Sequence, residues 1–421
     1  MEKVMICGSV RTPIGSYLGG FKDIPAYKLG ALVIDEVVKK AGVSPEDVDE
    51  VIMGQSYQNG ESVNIARVAL LAAGWPMDIP GITIDRRCCS GLDSICFGAM
   101  KIQCGYADVI VAGGIESMSQ TEFYIPGEFI KWGTGGRFDQ KLGFMPRGHG
   151  AVSTWGMPIY DRIQRARVMS QPIERFGELN SMMSWAEAAA REEGITREAA
   201  DNWSLRSHQK ACAAIKSGKF KEEIVPVSIP SRKETIILDT DEPPRAETSI
   251  EKLRKLKTVY DGGVCTAGNS ATENDGAAAV VLISKTKARQ LGIKPVARLE
   301  SFSVAAADPT LTYPAVPSSV TKALKIANLT IDQMDLIEIQ EAFAVQVLAD
   351  AKLMGINGKV LEDKVNVNGS GISLGHPIAA TGTMRMVSLI HELYRRNGVY
   401  GLETICGGGG HGIAAIISRM T

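Results

Sequence analysis

Arg87-Cys88-Cys89-Ser90-Gly91-Leu92 follows an extended apolar run, Gly81-Ile82-Thr83-Ile84. After it, Leu92, Ile95, Cys96, Ala99 and Ile102 recur at helical spacing. This order predicts a strand, a tight turn and a helix, with Cys88 at or just before the first helical turn. Unpaired backbone N–H groups and the positive end of the helix dipole favour a thiolate at such a position. The small Ser90 and Gly91 let another backbone, or a thin substrate arm, approach the sulfur. A structural cysteine fits better inside the helix, where Cys96 and Cys104 fall. On this stretch alone, a nucleophile and an ordinary core thiol fit equally well.

Strands and helices alternate on both sides of this turn. Val4 to Val10 reads as a strand, Leu29, Leu32, Val33 and Val37 mark a helix, and Val48 to Met53 reads as a second strand. A helix through Ile65–Leu71 follows, and a strand from Asp108 to Ala112 runs into Gly113-Gly114. The alternation predicts an α/β layer architecture. Residues 121 to about 245 break the rhythm with clustered aromatics, among them Phe129, Trp132, Phe144, Trp155 and Trp185. That composition predicts a large insertion, with helices over Met182–Glu193 and Arg197–Lys216. The rhythm resumes at Gly276–Ile283, and a helix from Lys285 to Gly292 closes a first half.

The first half then repeats in order. Ala323–Asp335 leading into Leu336-Ile337-Glu338-Ile339 echoes Val37–Asp49 leading into Val51-Ile52-Met53. Asn366-Val367-Asn368 before His376 matches Thr83-Ile84-Asp85 before Cys88. Thr404-Ile405-Cys406-Gly407-Gly408 echoes Ile110-Val111-Ala112-Gly113-Gly114. A duplicated α/β half is the simplest reading. Two such halves packed about a pseudo-twofold would bring Cys88 from one to face His376 from the other, with Cys406 at the same junction. The expected division is 1–120 with 246–292 as the first half, 121–245 as the inserted loop domain, and 293–421 as the second half.

Composition narrows the classes. The chain has 421 residues, 45% apolar and 22% charged, as in ordinary globular proteins. A formal net charge of −1 gives no electrostatic case for nucleic acid or an anionic membrane. No run of about 18 apolar residues predicts a membrane span. The start of the chain lacks a basic segment followed by a long apolar stretch, so a cytoplasmic address is expected. Eight cysteines in a large chain without a secretion signal are expected to be reduced. No Cys-x-x-Cys or His-x-x-x-His spacing points to a metal.

Cys88-Cys89-Ser90-Gly91, Gly375-His376-Pro377-Ile378-Ala379-Ala380-Thr381-Gly382 and Cys406-Gly407-Gly408-Gly409-Gly410 occur in this order. Together they resemble the thiolase family, the acetyl-CoA acetyltransferases and 3-ketoacyl-CoA thiolases. Arg11-Thr12-Pro13-Ile14-Gly15, Gly113-Gly114-Ile115-Glu116-Ser117 and Glu341-Ala342-Phe343-Ala344 extend the likeness over nearly the whole chain. The resemblance implies the thiolase fold, a duplicated five-layered α/β/α/β/α sandwich with an inserted loop domain. It implies Cys88 as the nucleophile, His376 as the group that takes its proton, and Cys406 as the second acid/base. In the family a water held by an Asn before Glu-Ala-Phe helps His376 hold the enolate. The N–H groups of Cys88 and Gly408 would bind the other thioester oxygen. Coenzyme A would act as a substrate, with Arg232 near its adenine and Ala267 and Ser270 near its pantetheine arm. No tightly bound cofactor and no metal are implied. The expected partners are acyl-CoA and CoA, in a homodimer or homotetramer. Some divergent members also work with a small accessory subunit.

Several positions depart from the family pattern. Gln340 stands where the family has Asn, which keeps the amide but adds a methylene. Ser181-Met182-Met183-Ser184 replaces a His-Met-Gly-Met loop, and Ala271 stands where a Ser is expected, with Ser270 beside it. These changes fall on the acyl and pantetheine side. They point to a substrate bulkier than acetoacetyl-CoA, aromatic or dicarboxylic, with benzoylsuccinyl-CoA as one example. Arg86, Arg87, Arg147 or Arg162 would meet a carboxylate on it. Arg86 and Arg87 read more readily as salt-bridged than as substrate-binding residues, and Met182 and Met183 as packing. The rival readings are a decarboxylating condensing enzyme of the same fold and an acyl-CoA-binding subunit with impaired catalysis.

Overall fold

A computed structural model describes residues 2–125, 151–154, 157–177, 181–230 and 234–420. The first half supplies β1 (Val4–Arg11), α1 (Ala26–Ala41), β2 (Glu50–Gly54), α2 (Ile65–Ala72), β3 (Gly81–Ile84), α3 (Ser90–Gln103) and β4 (Val109–Ser117). The inserted segment contributes α4 (Ser181–Glu193) and α5 (Arg197–Lys216), and the chain then returns as β5 (Asn274–Ser284). The second half supplies β6 (Ala297–Ala306), α6 (Ala315–Ala327), β7 (Leu336–Ile339), α7 (Ala344–Leu353), α8 (Thr381–Arg396), β8 (Tyr400–Gly407) and β9 (His411–Arg419).

The long strands form one sheet in the order β7-β8-β9-β6-β1-β5-β4-β2-β3. Its two halves have the same plan. In the first, β3, β2 and β4 are parallel, while β4–β5 and β5–β1 are antiparallel. In the second, β7 and β8 are parallel, while β8–β9 and β9–β6 are antiparallel. A parallel bridge from Ile337 to Val365 stands where the first half has β3. The two half-sheets are joined edge to edge where Met5 and Ile6 of β1 pair with Arg298 and Ala297 of β6.

Strand alternation shows how the layers stack. On β5, Ala278, Val280 and Leu282 join a central core with α3 and α8, while Ala277, Ala279, Val281 and Ile283 face α1 and α2. On β9, Ile413, Ala415 and Ile417 point into the same central core, and Ala414 and Ile416 point to the opposite side with α6 and α7. Both faces of these strands are covered, so they read as continuous apolar runs. The order is therefore helices, sheet, the α3/α8 pair, sheet, helices. Because α3 and α8 are buried between the two half-sheets, each places its N-terminal loop at the middle of the molecule. Helix α3 crosses α8 closely: a Cβ on Gly91 would lie 2.5 Å from the Ala379 carbonyl oxygen and 2.7 Å from Thr383 Oγ1.

Strand β4 runs on to Ser117, through the glycines that the sequence reads as its end. Pairing with β5 out to Asp275 carries it there. The eight cysteines are unpaired. No helix among the described residues is long and apolar enough to cross a membrane.

Candidate active site

The turn into α3 is built around Arg87, whose φ of 53° lies in the left-handed region that long side chains rarely occupy. Ser90 closes the turn: its hydroxyl accepts from Arg86 N at 2.8 Å and donates to Arg87 O at 2.6 Å. This geometry leaves Cys88 just ahead of the helix with its sulfur turned to a cavity. His376 comes from the loop between the short helix Gly371–Leu374 and α8. Its backbone N–H donates to Asn274 Oδ1 at 2.8 Å, which ties it to β5 of the other half.

Cys88, His376 and Gly408 line one cavity of about 230 Å³, together with Met182, Ala271 and Phe343. Met182 and Met183 pack against the core as expected and also form part of the wall of this space. The backbone N–H groups of Gly408 and Cys88 lie near enough to the Cys88 sulfur to favour its anion.

Cys406 does not line the cavity. It sits fully buried at the end of β8, close enough to Cys88 and Cys89 to be coupled to both thiols. Gln340 is also buried behind the cavity wall. Its Oε1 takes a 3.4 Å bond from Arg385 Nε, and its Nε2 has no partner among the described residues. Arg385 also donates to Gly375 O at 3.1 Å, so one guanidinium links Gln340 to the residue before His376. The longer Gln side chain fits because residue 371 is glycine. A Cβ there would lie 2.2 Å from Gln340 Nε2 and 2.6 Å from Glu341 O.

Two further cavities open from the first. One of about 570 Å³ is lined by Ala267 and Ser270 and shares Met183, Ala271, Thr272 and Glu273 with it. The other, about 770 Å³, shares Arg87, Ala166, Ser170 and Gly408. Arg232 and Arg147 lie outside the described residues, as do Phe129, Trp132, Phe144 and Trp155.

Burial dominates the protonation of this site. It pushes the Cys88 thiol up to about 11, although the Gly408 N–H and nearby Arg87 pull the other way. The helix-end argument for a resting thiolate is therefore overturned: desolvation of the anion exceeds what the dipole and two N–H groups return. Burial, helped by the Arg385 charge, lowers His376 to about 3, so the ring is neutral. His376 Nδ1 lies 2.7 Å from Thr381 Oγ1, whose hydroxyl donates to Pro377 O at 3.0 Å. That leaves Nδ1 as the donor and Nε2, unpartnered and buried, as an open acceptor. Cys406 is raised well above the ordinary thiol range by burial, then by its neighbours Cys88 and Asp350.

Sequence reasoning passed over the residues that hold these groups. Glu116 accepts N–H bonds from Ser56, Tyr57 and Ala379 at 3.1–3.2 Å, so it ties the two halves beside the site. Burial raises it to about 7 against those bonds. Glu341 receives Trp203 Nε1, Asn366 Nδ2, Ser207 Oγ and Ile372 N. Both carboxylates lie inside motifs that the sequence displays, but only the fold reveals what they hold.

The comparisons with known proteins agree with this architecture. The thiolase N-terminal domain matches residues 4–286, and the thiolase C-terminal domain matches residues 293–419. An acetyl-CoA acetyltransferase of Pseudomonas aeruginosa is 40% identical, over 100% of both chains. A probable acetyl-CoA acyltransferase of Staphylococcus aureus is 38% identical, again over 100% of both. The crystal structure of the Bacillus anthracis acetyl-CoA acetyltransferase superposes with a TM-score of 0.89 at 39% identity, covering 100% of this chain and 99% of that one. Human mitochondrial 3-ketoacyl-CoA thiolase gives a TM-score of 0.87 at 33% identity, with the same coverage. Matched in both halves and along its whole length, the chain belongs to the thiolase family of acyltransferases.

Proposed function

We propose that this enzyme cleaves a 3-oxoacyl-CoA with coenzyme A, or runs the reverse Claisen condensation, through a thioester on Cys88. The observation that carries the reading is the one cavity that Cys88, His376 and Gly408 line together. Cys88 Sγ adds to the 3-oxo carbonyl carbon as its proton passes to His376 Nε2. Resting thiol and imidazole are both neutral, so transfer accompanies attack, while the N–H groups of Cys88 and Gly408 take up the charge growing on oxygen. The bond between C2 and C3 then breaks. Cys406, which the family resemblance makes the second acid/base and which lies beside Cys88 though outside the cavity lining, would give its proton to C2 once substrate opens a path to it; the shorter acyl-CoA leaves, and the remaining acyl group stays on Cys88. The thiol of free CoA adds to that thioester and passes its proton to Cys406. Cys88 leaves as the thiol, with the proton held by His376. Gln340 acts through its amide, held by Arg385, in place of the family Asn.

The pantetheine arm would run through the cavity lined by Ala267 and Ser270. The acyl chain would leave past Gly408 into the larger cavity on the other side. That volume supports a chain bulkier than that of acetoacetyl-CoA. The test is CoA-dependent thiolysis over a panel of 3-oxoacyl-CoA esters, from acetoacetyl to long-chain, aromatic and dicarboxylic. A bulky member should give the highest kcat/KM, and Cys88→Ser should lose about a thousandfold or more in kcat. Turnover of Cys88→Ser near the native rate would remove the thioester. A preference for acetoacetyl-CoA would remove the bulky chain.

A further inference from the structure

The larger cavity, about 770 Å³, is lined by Arg86, Arg87, Arg162, Arg165, His411 and Asp85, among others. Two of the four guanidiniums are already neutralised. Arg86 pairs with Asp93 at 2.8 Å, and Arg162 pairs with Glu122 at 3.3 Å. The other two have no carboxylate within pairing distance among the described residues. Arg87 lies 6.0 Å from the Tyr57 ring centroid and 3.4 Å from the Ala166 carbonyl oxygen. Arg165 lies 5.0 Å from the Tyr160 ring centroid. Aromatic faces hold these guanidiniums in place without consuming their charge, and their planar forks remain available. The lining carboxylate Asp85 is committed to the turn, where it accepts from Arg87 N at 2.7 Å.

The position of this surplus charge matters. Arg87 and Gly408 belong both to this cavity and to the one that holds Cys88 and His376. An acyl chain leaving the Cys88 sulfur past Gly408 enters the arginine-lined space directly. The other cavity, which shares no lining residue with this one, holds Ala267 and Ser270, the residues proposed for the pantetheine arm. Tyr124 is the sole aromatic side chain among the described lining residues, so the walls suit an anion better than a ring system.

We propose that the acyl chain carries a carboxylate, and that Arg87 and Arg165 bind it. The enzyme would thus act on the CoA ester of a 3-oxo dicarboxylic acid. This deepens the thiolase reading above and rests on it. Arg165 is a specificity residue here. Arg87 adds a second fork from the turn that carries Cys88, so a correctly bound chain end and the nucleophile are held by adjacent residues.

The experiment compares kcat/KM for matched pairs of neutral and ω-carboxylated 3-oxoacyl-CoA esters of graded chain length, with the native enzyme, Arg165→Gln and Arg165→Lys. At the fitting length, the native enzyme should favour the carboxylated member by on the order of tenfold or more, as a charge-assisted hydrogen bond predicts. Arg165→Gln should erase most of that preference and Arg165→Lys should restore part of it. Equal kcat/KM for both members at every length overturns the proposal, and the native enzyme alone suffices for that result. A rise in KM for CoA in Arg165→Gln with the acyl preference intact also overturns it, because the anion held would then be a phosphate of CoA. Thiolysis of neutral esters without the preference leaves the thiolase reading standing. Absence of thiolysis with every ester removes that reading and this one together.

Discussion

At the scale of single residues, Cys88, the proposed nucleophile, is a case of competing terms with a clear winner. A helix N-terminus and two N–H donors favour the anion, yet complete burial raises the Cys88 thiol to about 11. The pH consequence has a definite sign. Below that value the thiolate fraction grows about tenfold per pH unit, so carboxymethylation of Cys88 by iodoacetamide should climb steadily from pH 7 past pH 9. A cysteine–histidine ion pair would instead plateau near neutrality. A plateau below pH 8 would therefore overturn the neutral pair described here. That Cys88 and His376 come together in one cavity was legible because each sits in a run of small residues beside a helix start. The supporting groups were not. Asn274 and Arg385 act through contacts across 102 and 45 positions of sequence. No local pattern marks a residue whose partner is that distant.

At the scale of elements, periodicity served well where one chemistry decides the outcome. Helix α5 spans the expected Arg197–Lys216, and α4 differs from expectation by one residue at its start. The end of β4 was misread because glycine weakens a strand only when nothing else pairs it. Here β5 supplies partners for Gly113 and Gly114. The short helix Gly371–Leu374 shows the same dependence on context. Its first residue packs against the Gln340 amide and the Glu341 carbonyl, so Gly371→Ala forces both away. The expected cost is about 1–3 kcal/mol of stability, with a fall in kcat as Gln340 shifts. Denaturant unfolding and steady-state kinetics would measure the two effects, and unchanged values for both would contradict the packing.

At the scale of the whole molecule, duplication was readable because the order of elements repeats even where residues do not. The joining of the two half-sheets through β1 and β6 was not, since two paired residues leave no pattern in sequence. Nor was the attachment of the inserted segment. Arg11, at the end of β1, donates to Glu223 at 2.8 Å and to both oxygens of Asp241 at 2.7 and 3.0 Å. All three side chains are buried, and Asp241 also accepts the Ile14 N–H at 2.8 Å. Removing one partner would leave a buried guanidinium underpaired, so Asp241→Ala should lower the unfolding free energy by about 3–5 kcal/mol. A shift below about 1 kcal/mol in chemical denaturation would show that the pair does not hold the segment to the sheet.

The fit of Gln340 against Gly371 also bears on how such a site can change over time. A longer amide at 340 is admissible only while 371 has no side chain, so the two positions are epistatic. A Cβ at 371 would meet both the Gln340 amide and the Glu341 carbonyl, and shortening 340 relieves only the first. The costs of Gly371→Ala and Gln340→Asn should therefore not add: the double variant should be less destabilised than the sum of the two single ones, yet still short of native stability.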